Sequence, residues 1–151
     1  MATNDDVIST LNNLIETCKD GQTGFQTAAE GVNKSELKTL FYNYSQQRAQ
    51  FAGELQNEVL RLGGDPEKTG SVAASLHRGW INIKSAVTGK DDAAVIAECE
   101  RGEDSAVSNY KDALENKVPA DVRSVIERQY AKVQEAHDRI RALDKAGSAG
   151  A

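Results

Sequence analysis

Apolar residues recur at steps of three and four along most of the chain, the period of a helix with one buried face. In the first segment Val7, Leu11, Leu14, Cys18, Gly21, Phe25, Ala28 and Val32 alternate steps of four and three. They predict one long helix over 4–32, with Thr3 and Asp6 forming a capping box at its start. Gly21 and Gly24 lie inside it, each at a cost of about 1 kcal/mol relative to alanine. The second stripe is Leu37, Phe41, Tyr44, Arg48, Phe51, Leu55, Val59 and Leu62. It predicts a helix over 34–62, opened by Asn33 with Glu36 and stopped by Gly63-Gly64.

A turn over 65–70 leads to a shorter element with Val72, Leu76, Trp80, Ile83 and Val87, ending at Thr88-Gly89. Asp91 or Asp92 caps the next helix, over 91–116. Its stripe is Ile96, Glu100, Glu103, Val107, Tyr110 and Leu114, with Val95, Cys99, Ala106 and Ala113 alongside. Pro119 suits the first turn of a last helix, over 119–144, with Val122, Ile126, Gln129, Val133, His137 and Ile140. The tail 145–151 carries no apolar face and is expected to be disordered. No alternation of useful length predicts a strand.

Four long helices of similar length suit an all-α bundle over 1–144. The two tight connections make the first pair and the last pair antiparallel, while the middle connection is long enough to run back along the bundle. The order is therefore up-down-down-up, a four-helix bundle with an extra short crossover helix. Trp80 is the expected anchor of that crossover, and His77 beside it is expected at the surface or its boundary.

The 151 residues suffice for one core. A net charge of −5 without a basic cluster argues against nucleic acid as a partner. No run approaches the roughly 18 apolar residues of a membrane helix. The start MATNDDVIST resembles no secretory leader. Cys18 and Cys99 stand in no metal-ligand spacing, which fits a reducing, cytoplasmic setting. Their heights in the bundle differ by about six residues, roughly 9 Å of rise, so they are expected to stay unbridged.

The candidate chemistry lies where polar residues interrupt the stripes. Counting along the helices puts Arg48, Glu103 and Gln129 in a middle layer, and Glu100, His137 and Tyr44 in the layer above. Two carboxylates on an apolar stripe need counter-charge. Arg48 can supply it with its fixed fork of donors, and His137 can carry a proton beside Glu100. The leading expectation is a buried polar network that fixes helix register. The alternative is a metal site built from Glu100, Glu103 and His137 with Gln134. Glu54 and Glu58 could flank a metal, but a solvated face is the simpler reading. The charged run Glu127, Arg128, Lys132, Glu135, Asp138 and Arg139 reads as solvent-facing pairs.

The stretches LIETCKDGQTGFQTAAE, QFAGELQNEVLRLGGDP, LHRGWINIKSAVTGKDDAAVIAECERGEDSAV and RQYAKVQEAHDRIRAL resemble an uncharacterised bacterial family of four-helix-bundle proteins with a domain of unknown function, in the ferritin-like superfamily. The resemblance covers nearly the whole chain. It implies a ferritin-like fold with one long crossover and no established activity. The wider superfamily often holds two metal ions with a Glu from each of two helices and a Glu-x-x-His from each of the others. This chain has no Glu-x-x-His, and its nearest match is Gln134-x-x-His137. Arg48 stands where a ligand would be expected, and its charge would repel metals. The expected function is a non-catalytic, structural or stress-associated bundle without a cofactor. The alternative is an iron- or manganese-binding protein with ferroxidase-type activity. A homo-oligomer or a subunit of a larger assembly is compatible with either.

Overall fold

The computed structural model describes residues 3–66 and 77–149, except for the side chains of 77, 78 and 147–149. The described residues form α1 (Asn4–Gly31), α2 (Ser35–Arg61), a 3-10 turn (His77–Trp80), α3 (Ile83–Thr88), α4 (Asp92–Glu115) and α5 (Ala120–Ala149), and no strand. None of these helices is long and apolar enough to cross a membrane. The described residues form an all-α bundle, as the sequence pattern predicts.

The helix ends follow local chemistry. Thr3 and Asp6 form the expected capping box on α1. Gly63, at φ 82°, closes α2: Gly63 N donates to Leu60 O and Gly64 N to Val59 O, the paired bonds of a Schellman ending. Asn33 does not cap α2, whose N-cap is Lys34 and carries no side-chain bond. The Asn33 side chain donates instead to Asp92 Oδ1 and Lys90 O, while the backbone N–H groups of Asn33 and Lys34 donate to the Asp92 carboxylate. The α1–α2 turn is thereby pinned to the start of α4. Asp91 caps α4 by accepting from Ala93 N. At the other end α5 runs on to Ala149, five residues beyond the expected end at 144 and into the stretch expected to be a disordered tail. Ala146 and Ala149 favour helix, and no proline breaks it.

Two polar rungs fix how α1 lies against α4. Asn109 Nδ2 donates to Thr17 Oγ1 at 3.0 Å, and Asn116 Nδ2 to Thr10 Oγ1 at 3.2 Å. Each threonine hydroxyl in turn donates to the carbonyl four residues before it. Seven residues down α4 correspond to seven residues up α1, so the two helices are antiparallel. With α1 antiparallel to α2 and α4 to α5, the order is up-down-down-up.

The crossover differs from the single helix expected. Val72 and Leu76 lie outside the described residues. The part that follows is a 3-10 turn, a two-residue break at Ile81-Asn82 and the six-residue α3. Gly79 lets the turn approach α4 closely. A Cβ there would stand 2.9 Å from Ser105 Cβ and 3.1 Å from Gly102 Cα, so the backbone lies directly on α4. A glycine at the contact also weakens any helix through it. Trp80 then turns inward, buried between Gly24 of α1 and Gly102 of α4, with its indole where a Cβ at either position would stand. Its ring meets the Phe25 ring edge-on at 5.0 Å. Gly31 leaves similar room for Val87. Gly24, Gly31 and Gly102 are the holes in α1 and α4 into which the crossover locks.

The core divides into two clusters. One surrounds Leu11, Leu14, Leu55, Tyr110 and Ile126; the other surrounds Phe25, Phe41, Trp80, Cys99 and Ile140.

Candidate functional site at the bundle centre

Arg48 on α2 and Glu103 on α4 meet at the bundle centre. Nη1 stands 2.5 Å from Oε1 and Nη2 2.6 Å from Oε2, a bidentate pair with side chains 1% and 0% exposed. Arg48 Nε donates to Gln47 Oε1 at 3.4 Å, and the guanidinium carbon lies 5.4 Å from the centre of the Phe25 ring. Gly21 makes room, since a Cβ there would press on the arginine stem at 3.2 Å. Burial opposes the arginine's charge, but the Glu103 carboxylate outweighs it and holds the guanidinium protonated still more firmly than usual.

Gln129, expected in the same layer, is fully buried but bonds elsewhere. Its Oε1 accepts from the Tyr110 hydroxyl at 2.8 Å. Its Nε2 donates to Glu54 Oε1 at 2.9 Å and Phe51 O at 3.3 Å. Glu54 also pairs with Arg128 at 3.1 Å and is the outer end of this network. Glu58 pairs with Arg61 at the surface. At the inner end Cys18 Sγ lies 3.2 Å from the Tyr110 oxygen. Since the Tyr110 proton is already given to Gln129, the thiol must donate. The bonds therefore run one way, from thiol to phenol to amide to carboxylate. Burial pushes the Cys18 thiol up to about 11 and the Tyr110 hydroxyl well above its ordinary value. Cys18 and Cys99 are both buried and unbridged, as their heights predict.

The second expected layer is not assembled. Tyr44 packs on the Phe25 ring with centroids 5.3 Å apart. Glu100 is half-buried at the α4–α5 seam, facing Asp144. His137 is half-buried farther along the seam, bound to Asp104 and Asp138. The reason is a one-position slip in reading the stripes. The buried row of α4 is Ile96, Cys99, Glu103, Ala106, Tyr110 and Ala113; that of α5 is Val122, Ile126, Gln129, Val133, Ala136 and Ile140. Glu100 and His137 each follow a buried residue and so point about 100° away from the core. Asp104 carries no sequence signal beyond its position four residues after Glu100 on the same seam. The Tyr110–Cys18 contact had no signal beyond two inward positions.

The residues present do not fit a dimetal centre. Both oxygens of Glu103 are bound by a fixed cation, Gln134 is exposed, and Glu100 and His137 lie on the seam. Among the described residues no group of three or more His, Cys, Asp or Glu side chains could hold a metal ion. The side chain of His77 lies outside the described residues. Trp80 is buried, as expected of the crossover anchor.

Among solved structures the chain is similar to a two-domain protein of Anabaena variabilis containing DJ-1/ThiJ/PfpI-like and ferritin-like domains, with a TM-score of 0.78 and 18% sequence identity. The alignment covers 96% of this chain and 40% of that one, so the chain spans well under half of its structural relative. No match is found among curated proteins. Residues 6–116, from the first turn of α1 to the end of α4, match the domain of unknown function DUF2383, and the chain belongs to that family.

Proposed function

We propose that the chain is a non-catalytic ferritin-like bundle, a structural or interaction module in which an ion pair stands in place of the usual dimetal site. The observation that carries this reading is the bidentate Arg48–Glu103 pair in the sealed centre. A dimetal centre needs its central carboxylates free, and a fixed guanidinium beside them raises the energy of any metal cation by direct repulsion. Below that pair Gln129, Tyr110 and Cys18 are committed to one another. A bacterial, cytoplasmic and stress-associated setting belongs to the same reading, and the free thiols fit a reducing compartment. The joining of this fold to a second domain in the Anabaena protein supports its use as a module.

Elemental analysis of protein purified without chelator tests the proposal. The expected result is no stoichiometric iron or manganese. Stoichiometric metal would favour the other reading, a metal-binding protein with ferroxidase-type activity.

A further inference from the structure

His137 lies on α5 with only 13% of its side chain exposed. Nε2 is 2.6 Å from Asp104 Oδ1 on α4, and Nδ1 is 3.1 Å from Asp138 Oδ1. A neutral imidazole carries one N–H, so one of these carboxylates would face a lone pair. Only the doubly protonated ring satisfies both contacts.

We propose that His137 is a proton-operated strap tying the second half of α5 to α4, closed while the ring holds two protons and slack once it loses one.

The surroundings favour the closed form. The seam carries Glu100 and Asp104 from α4 and Asp138, Arg141 and Asp144 from α5. Four carboxylates thus face one arginine and the ring. Burial first, and then the facing Asp144, raise the Glu100 carboxyl above its ordinary value. On the flank of α5 toward α2, the charged neighbours of Tyr44 include Arg139 and Glu135. The strap sits three residues before Ile140, which is fully buried in the core cluster of Cys99 and Trp80, with Leu143 packed against that cluster. Loosening it frees the part of α5 that closes this end of the core.

Burial disfavours the imidazolium, but the two carboxylates outweigh it and raise the ring above 6.5. With the folded value raised, the stabilisation is complete below the unfolded value near 6.5 and is lost as pH rises through the folded value. Asp104 and Asp138 are largely exposed, so salt weakens the strap.

Two measurements on the full chain test it. The protein has only two histidines, so His77→Gln assigns the proton spectrum and the His137 titration can be followed directly. Amide hydrogen exchange then compares residues 138–146 with residues 122–133 from about pH 5.5 to 8.5, corrected for intrinsic rates. His137 should titrate above 6.5, and Asp104→Asn should bring it down. Protection over 138–146 should fall with rising pH relative to 122–133, approaching about tenfold for each pH unit separating the folded and unfolded values. In Asp104→Asn that fall should shrink. A His137 titration at or below 6.5 would overturn the proposal. So would an unchanged pH dependence of exchange in Asp104→Asn.

Discussion

Arg48 gives both terminal nitrogens to the two oxygens of Glu103, reaching from α2 to α4, two helices that run in the same direction. The pair stands at the junction of the two apolar clusters and makes the register of each helix dependent on the other. A slip of one residue on either helix would leave a charge in the core without its partner. Such a pair can add little net stability over an apolar replacement and still select one packing strongly.

Removing one partner should therefore be expensive, and removing both should not. Arg48→Ala is expected to cost about 3–5 kcal/mol, the range for stranding a buried charge. Arg48→Met with Glu103→Leu should recover most of that loss. Urea melts followed by Trp80 fluorescence measure both. A cost for Arg48→Ala below about 1 kcal/mol, the range of an exposed pair, would contradict the buried-pair account.

The slot around Trp80 gives a second test, in which helix propensity and packing pull in opposite directions. Gly102→Ala gains about 1 kcal/mol of propensity. Its methyl group, however, would overlap the indole, and overpacking costs about 1–3 kcal/mol. The substitution should destabilise. Gly53→Ala on α2 is the control, because a Cβ there meets nothing within 4 Å; it should stabilise by up to about 1 kcal/mol. Thermal melts that order the two variants the other way would show that the slot is not rigid. Trp80→Ala itself should cost about 3–5 kcal/mol.

These glycines mark the boundary of what the sequence could reveal. Helix spans, order and the Arg48–Glu103 meeting follow from period and length, because residues on one stripe at equal height must meet. Rotation about the helix axis is harder to read. Glu100 beside Cys99, and His137 beside Ala136, fit a step of four as well as their neighbours fit a step of three. A one-position error turns a side chain by about 100°. The 3-10 turn depends on Gly79 touching Gly102, a contact between distant segments. The Asn109–Thr17 and Asn116–Thr10 rungs involve residue types that also belong on a solvated face. They carry no periodic apolar signal.

The thiols should be inert in the folded protein. Cys18 and Cys99 are fully buried, and burial raises both above their ordinary value. Cys18 also spends its proton on Tyr110. A chromogenic disulfide reagent near neutral pH should therefore label neither until the chain opens, and labelling should follow the unfolding transition in urea. Rapid labelling of the native protein at either cysteine would contradict this.

Glu100 offers a test of stability against pH. It is half-buried at the α4–α5 seam, and burial first, then the facing Asp144, raise its carboxyl above the ordinary 4.5. A raised carboxyl binds its proton more tightly in the folded than in the unfolded state. Its stabilisation is complete below the unfolded value and is lost as pH rises through the folded one. At neutral pH an ionised Glu100 therefore sits against a second carboxylate as a penalty. Glu100→Gln removes the charge and keeps the shape and hydrogen-bonding capacity. It should raise the melting temperature at about pH 7, with the gain shrinking toward pH 4 as the wild-type carboxyl takes up its proton. Asp144→Asn should act in the same direction, and the double variant should give less than the sum because the two changes relieve one repulsion. Thermal melts across this pH range decide the matter. A lower melting temperature for Glu100→Gln at neutral pH would mean that the carboxylate is favourably paired there, with Arg141 the cation in reach.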